Sequence, residues 1–413
     1  MEKTDVVTCF LRHDAEVLLL RRSEAVGSYR GQWGAVAGHA EGDPDAAARE
    51  EIAEETGLAE AVTLRRRGEA FDVVDDERGT HWVVHPYLFE SEHREVEVDW
   101  ETSEFEWTHP TEILRRETVP DLWGSYDRVR PTVETVGEDR EHGSAWLSVR
   151  ALEVLRDEAG LAAWGPDGDW SGVADIAREL RDVRPSMPVV TNRINRVMTR
   201  AQHTPERIEQ YAREVIAEGL SADEAAVSAV ADRLPERIAT LSRSGTVRAT
   251  LERVEPDAVL IAESRPGREG VAVAESLAGE TDVTLSSDAG LAWAIHEWGA
   301  EAVLVGADAI RPDGAVLNKV GTRAAALAAA HDGIEFLVVA AADKVSPNGD
   351  LVIESAGPET VYDGPSDLSV CSPLFDVTPP DVIDAIATDR GVLDPAGIET
   401  VAADHRENAD WAA

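Results

Sequence analysis

Two stretches of this chain hold residues whose types and spacing could do chemistry. In the first, residues 38–58 (GHAEGDPDAAAREEIAEETGL), Pro44 is a helix start and Gly57 a helix stop, so a helix is predicted to about Thr56. Glu51, Glu54 and Glu55 then lie at i, i+3 and i+4 and share one face. Three carboxylates there repel one another unless a hard divalent cation neutralises them, and an all-oxygen donor set suits Mg²⁺ or Mn²⁺. A solvated acidic face is the plain alternative. In the second stretch, residues 305–322 (VGADAIRPDGAVLNKVGT), an apolar run over 302–305 reads as a buried parallel strand that ends at Gly306-Ala307-Asp308. This puts a carboxylate at a strand's carboxyl end, where open α/β sheets hold their ligands. Pro312-Asp313-Gly314 makes a tight turn. Asn318-Lys319-Val320-Gly321-Thr322 then leads into an alanine-rich helix over 323–330. A lysine, a glycine and a hydroxyl at a helix start suit a phosphate, because free backbone N–H groups and the helix dipole point there. Lys319 is one of only three lysines, with Lys3 and Lys344, in a chain that otherwise uses arginine as its cation. That sets it apart from an ordinary surface charge.

The elements that must position these residues follow from hydrophobic pattern and turn signals. Residues 6–11 and 16–21 read as strands paired around His13-Asp14, with further strands at 70–74 and 81–88 and a helical turn at 110–116. Residues 137–143 are polar and charged, as in a linker. Helices are predicted at 144–163, 172–183, 192–199, 205–218 and 221–240, the last with Ser221 as cap and Glu224 in capping-box position. From Ala258 the rhythm becomes strand, loop, helix, with strands at 258–262, 283–285, 303–305 and 336–340. Alternation of this kind means a parallel, doubly wound sheet with right-handed crossovers, and every motif falls after a strand, on one edge.

The 413 residues suffice for two or three domains. Lys and Arg number 39 against 80 Asp and Glu, a net charge of -41 spread along the chain. With lysine almost absent, this points to a high-salt, archaeal-type cytoplasm, where the Debye length shrinks to roughly 3 Å at 1 M. It argues against direct nucleic-acid binding, which needs a basic face. Cys9 and Cys371 offer neither a disulfide framework nor zinc spacing. Cys371 reads as buried packing. No signal peptide or membrane-spanning run is visible, so a cytoplasmic protein is expected.

Residues 51–58 (EIAEETGL), with Gln32-Trp33-Gly34 and Gly38-His39 as lead-in, resemble the Nudix box. The resemblance covers the first third of the chain and implies an α/β/α sandwich in which glutamates bind the metals that activate water against a nucleoside-diphosphate derivative. It assigns catalysis to Glu54 and Glu55, and metal binding to Glu51, Glu54 and Glu55. Two positions depart from the pattern. Glu50 stands where the box has arginine, and the preceding loop is short, leaving Asp43 as the nearest stand-in for an upstream glutamate.

The last two thirds resemble the family of translation initiation factor 2B alpha, beta and delta subunits, which includes ribose-1,5-bisphosphate and methylthioribose-1-phosphate isomerases. The motifs are ESRP followed by EG (residues 263–270), VGADAI, NKVGT and FDVTPPDVIDAI, in that order. The resemblance implies that Arg184, in Arg184-Pro185-Ser186, binds substrate phosphate, and that Arg265, Arg268, Lys319, Asn318 and Gly306 belong to the same phosphosugar or nucleotide pocket. In the isomerase branch a cysteine acts with the aspartate of the Gly-Ala-Asp motif, which is Asp308 here. Residues 240–247 (TLSRSGTV) align with the cysteine loop, and Ser242 takes the cysteine's place. A hydroxyl is a far weaker acid than a thiol, with its pKa of about 8.5.

The expected architecture is therefore α/β: a Nudix sandwich over 1–135, a linker over 136–143, a helical subdomain over 144–240 and a Rossmann-like parallel-sheet subdomain over 241–413. The leading expectation joins a Mg²⁺- or Mn²⁺-dependent Nudix hydrolase of a nucleoside-diphosphate derivative to a module that binds a phosphorylated ribose or nucleotide. An aldose–ketose isomerase of ribose-1,5-bisphosphate type is the second reading. A non-enzymatic regulatory subunit with a translation-factor partner is the third. The resemblance also implies a homodimer through the C-terminal domain.

Overall fold

The computed structural model describes residues 3–76, 78–165 and 169–412. They form two compact units. One comprises Met1–Thr132, Glu153–Val173 and Thr204–Arg213, and the other Val133–Leu152, Ala174–His203 and Glu214–Ala413.

In the N-terminal unit β1 (Lys3–His13) and β2 (Glu16–Arg22) pair antiparallel, with Arg12 opposite Val17. Asp14 and Ala15 between them take φ of 47° and 67°, the turn handedness that matches the strands' twist. Then come β3 (Trp33–Gly34), β4 (Val36–His39), α1 (Pro44–Thr56), β5 (Val62–Arg67), β6 (Phe71–Asp75), β7 (Thr80–Ser91) and β8 (Thr102–Thr108). The sheet runs β3-β2-β1-β7-β5, with β8 on β2, β4 on β1 and β6 on β7. Sequence reading missed β5 and β8, and their residues explain why. VTLRRR and TSEFEWT are largely exposed edge strands without the apolar run that marks a core strand. Helix α1 has the expected bounds. Gly57 caps it at φ 71°, its N–H reaching Ala53 O at 3.1 Å, while Ala47, Ala48 and Ile52 bury against the sheet. Asp43 is the N-cap, accepting from Asp45 N at 3.1 Å. Its carboxylate therefore serves the helix start rather than an upstream ligand position. A short helix α2 (Leu122–Asp127) follows.

The chain continues through α3 (Val133–Glu138), α4 (Ser144–Trp164), α5 (Trp170–Asp182), α6 (Pro188–Arg200) and α7 (Pro205–Ala231). Two expectations are corrected here. Part of the presumed linker is helical, in α3. The two helices expected at 205–218 and 221–240 are one, α7, with Ser221 inside it. Gly219, just before Ser221, is a close-approach site inside the helix: a Cβ there would sit 2.7 Å from the Arg193 guanidinium, which donates to Gly219 O at 3.3 Å. The stretch expected to end the second helix is instead β9 (Arg237–Leu241), a buried strand.

Alternation then sets in as predicted: α8 (Gly245–Val254), β10 (Ala258–Ala262), α9 (Glu269–Leu277), β11 (Asp282–Ser286), α10 (Leu291–Trp298), β12 (Ala302–Val305), β13 (Ala309–Ile310), β14 (Val316–Lys319), α11 (Thr322–Asp332) and β15 (Glu335–Val339). The chain closes with β16 (Phe375–Thr378), β17 (Ala385–Thr388), β18 (Gly391–Leu393) and α12 (Pro395–Asn408). The main sheet is ordered β11-β10-β9-β12-β15-β17-β18 and is parallel except for β18. A small antiparallel sheet, β13-β14-β16, lies off it. Apolar clusters cover both faces of the main sheet, as the continuous runs AVLIA and AVLV require. Among the described residues no helix is long and apolar enough to cross a membrane.

Candidate functional site

In the C-terminal unit the carboxyl ends of β9, β12 and β15 open on one cavity of about 280 Å³. Ser144 and Trp146 line it from the start of α4, Ser242 from the loop after β9, Asp308 from the end of β12, Asn318 from β14 and Lys344 from the turn after β15. Ser144 Oγ donates to Asp308 Oδ1 at 3.1 Å. Burial raises the Asp308 pKa, and Lys344, the Ser144 bond and Lys319 oppose that rise. Lys344 is buried, which lowers its pKa against the pull of Asp308 and Asp223, and its Nζ donates to Ala307 O at 2.6 Å. Ser242 takes φ 67°, with its N–H on Ser264 Oγ at 2.6 Å. Gly306 is required by packing, since a Cβ would stand 2.6 Å from the hydroxyl of Ser244, the cap of α8.

The structure therefore brings Ser242, Asp308 and Asn318 together as expected and treats the other candidates differently. Lys319 does not line the cavity. Its Nζ pairs with Glu269 Oε1 at 2.6 Å, and its residue ends a strand. The phosphate site expected at the start of α11 is taken by the protein itself: Asp376 accepts from Gly321 N at 2.8 Å and Arg323 N at 3.1 Å. Arg265 and Arg268 point to solvent, 64% and 57% exposed, at 3.6 and 3.7 Å from Glu263. Their loop is pinned by Asp288, which accepts from Ser264 N and Arg265 N. Arg184 is buried and donates to Asp139 O at 2.5 Å, burial lowering its pKa. Cys371 is exposed, which corrects its reading as packing. The residues that sequence reading left out are Ser144, Trp146 and Lys344. For Lys344 a signal existed, because its rarity and place after a strand match the argument made for Lys319. Nothing in the sequence ties Ser144 to Asp308.

In the N-terminal unit, Glu51 is the shared member of the acidic face. Burial raises its pKa, then Glu54. Glu55, buried beside it, is pushed up to about 8 by desolvation and then by Glu51, against a hydrogen bond from the Ala37 backbone. Glu54 itself is exposed. Gly38 lies directly under Glu51: a Cβ there would fall 1.7 Å from Oε1. A cavity of about 40 Å³, lined by Arg22, Ala37, Glu55 and Glu101 among others, gives room for a bare ion or one water. Crowded, like-charged oxygens with such a space fit a hard divalent cation. Among the described residues, however, no three acidic, His or Cys side chains stand in a metal-ligand arrangement. The fit rests on Glu51 and Glu55.

A doubly wound α/β unit with a carboxylate and a lysine at its sheet edge, and a strand-rich unit with a glutamate-bearing helix, define a two-unit α/β protein. Residues 140–395, more than half of the chain, match the Initiation factor 2 subunit family, and the chain belongs to it. Residues 2–129 match the NUDIX domain. Methylthioribose-1-phosphate isomerase of Pseudomonas syringae is 37% identical over 163 residues, 37% of this chain and 44% of that protein. The enzyme of that name from Methylococcus capsulatus is 32% identical over 169 residues, 38% and 48% of the two chains. The chain spans less than half the length of these relatives. Among solved structures, the Pyrococcus horikoshii translation initiation factor eIF-2B aligns with TM-score 0.54 at 26% identity, over 63% of this chain and 94% of that one. The 5-methylthioribose 1-phosphate isomerase of the same organism aligns with TM-score 0.54 at 22% identity, over 74% and 89%, a likeness of fold.

Proposed function

We propose that the C-terminal unit binds a phosphorylated ribose or nucleotide in the Asp308 cavity and that the N-terminal unit hydrolyses a nucleoside-diphosphate derivative. The observation that carries this reading is the pairing of Asp308 and Lys344 on one cavity at the carboxyl edge of the sheet. The carboxylate accepts from ribose hydroxyls, while a compact ammonium supplies the countercharge a phosphate needs. In the N-terminal unit Glu51 and Glu55, with Glu54, would hold Mg²⁺ or Mn²⁺. Bound there, the cation supplies Lewis acidity and an activated water. Gly38 leaves the space that seats the Glu51 carboxylate. In the overall hydrolysis water adds to one phosphorus, the bridging P–O bond breaks, and two phosphomonoesters result.

An aldose–ketose isomerase is the second reading, supported by the isomerases 32–37% identical over part of this chain and by Asp308 and Ser242 lining the same cavity. The test incubates the purified chain in molar KCl with Mn²⁺ and nucleoside-diphosphate sugars, nucleoside triphosphates or ribose 1,5-bisphosphate, followed by phosphorus NMR. Phosphoanhydride cleavage that Glu55→Gln abolishes is the expected result. Formation of ribulose 1,5-bisphosphate that Asp308→Asn abolishes would replace it with the isomerase, and no turnover together with no binding would overturn both.

A further inference from the structure

Arg184 and Ser186 form a buried polar pair that Lys344 and Asp308 do not explain. Arg184 is 5% exposed and Ser186 2%. The guanidinium donates to the Asp139 carbonyl and, among the described residues, makes no ion pair with a carboxylate. A buried guanidinium whose partner is a neutral carbonyl, two residues from a buried hydroxyl, suits an anion. One carboxylate answers it in part. Ser186 Oγ donates to Glu354 Oε1, and Glu354 is the foremost of the carboxylates whose charge acts on Arg184. Glu354 also acts on Asp308, which places it in the field of the cavity.

The backbone that carries Glu354 is a strap between β15 and β16. Leu374 N donates to Glu354 O at 2.8 Å, Ala356 N to Ser372 O at 2.8 Å, and Val320 N, just past β14, to Leu374 O at 2.9 Å. Beside Glu354, Val352 and Ile353 are 45% and 50% exposed, so little apolar burial holds this part of the strap down. Removal of the Glu354 side chain from Ser186 would break one polar contact and no apolar core.

We propose that Glu354 is an internal competitor: its carboxylate occupies the anion position of Ser186 and Arg184, and the phosphate of an incoming ligand displaces it. A phosphate monoester carries close to two negative charges and three acceptor oxygens, so it outcompetes a single carboxylate for a guanidinium and a hydroxyl. Affinity at this subsite is thereby held down, and the strap is released when phosphate enters. This inference rests on the phosphosugar reading of the C-terminal unit.

The test is calorimetric titration of the full chain with inorganic phosphate and with ribose 5-phosphate, comparing the wild type with Glu354→Gln and Glu354→Asp. Glu354→Gln removes the competing charge and should tighten both ligands by about tenfold, equivalent to about 1.4 kcal/mol. Glu354→Asp keeps the charge on a shorter arm and should fall between. Hydrogen exchange in residues 350–374 of the wild type should speed up when phosphate is added. Equal or weaker binding by Glu354→Gln overturns the competitor while leaving the proposed function standing. Absence of binding in all three proteins overturns both.

Discussion

Ser144 donates to Asp308 at 3.1 Å, joining the first residue of α4 to the end of β12 across 164 residues of sequence. This bond favours the ionised carboxylate that burial disfavours. Asp308→Asn should therefore cost ribose 5-phosphate affinity by the worth of a charged hydrogen bond, about 1.5–3 kcal/mol. Ser144→Ala should raise the Asp308 pKa further and weaken binding less. Calorimetry showing an unchanged dissociation constant in Asp308→Asn would remove that residue from the site.

Gly38 and Glu51 are the corresponding pair in the N-terminal unit. Because a Cβ at residue 38 would overlap the Glu51 carboxylate, Gly38→Ala must displace that side chain. Hydrolysis in Mn²⁺ is expected to fall by at least about tenfold, the penalty of a misplaced catalytic group. Manganese binding followed by paramagnetic relaxation should weaken in parallel. A variant with full activity would show that Glu51 does not act where the fold puts it.

The sequence made the acidic helix and the alternating half of the fold legible because each is written in local pattern: proline and glycine bounds on α1, and continuous apolar runs on the parallel strands. The errors have long-range causes. Ser221 looks like a helix cap, yet α7 runs through it, with Gly219 two residues earlier making room for Arg193. The start of α11 looks like a phosphate site until Asp376, more than fifty residues on, is found capping it. Lys319 and Lys344 have the same local signature, yet Lys319 bonds Glu269 while Lys344 lines the cavity.

His109 supplies a pH test. Burial, then Arg156 and Arg213, lowers its pKa from 6.5 to about 3, and its Nδ1 is buried with no hydrogen-bond partner among the described residues. Between those values the unfolded chain binds a proton that the folded chain refuses, so this contribution to stability is present above pH 6.5 and is lost as pH falls. At about 1.4 kcal/mol per unit, going from pH 6.5 to 4.5 should cost about 2–3 kcal/mol. Glu55, with a raised pKa, acts in the opposite sense, its contribution fading as pH rises toward 8. The informative quantity is thus the difference between wild type and His109→Gln in denaturant midpoint across pH 4–7. It should narrow steadily toward acid, and parallel curves would refute the assignment.

Arg12 and Glu153 give the last prediction. Arg12, 2% exposed, bonds Glu153 at 3.1 Å and Glu90, and Glu153 is fully buried. Nearby Arg156, also buried, bonds Asp157 at 2.8 Å and the Ala15 carbonyl at 2.7 Å. The core of the N-terminal unit thus depends on residues 153–157, beyond the boundary that a Nudix-sized domain suggests. Breaking a buried ion pair leaves an uncompensated charge and costs about 3–5 kcal/mol. Glu153→Ala should therefore lower the melting temperature of the full chain by several degrees. A fragment of residues 1–135 loses Glu153, Arg156 and Asp157 together, and should show no cooperative transition by circular dichroism in molar KCl. A fragment that melts as sharply as the full chain would mean that Arg12 finds another partner, and that the Nudix unit folds without the helix that supplies Glu153.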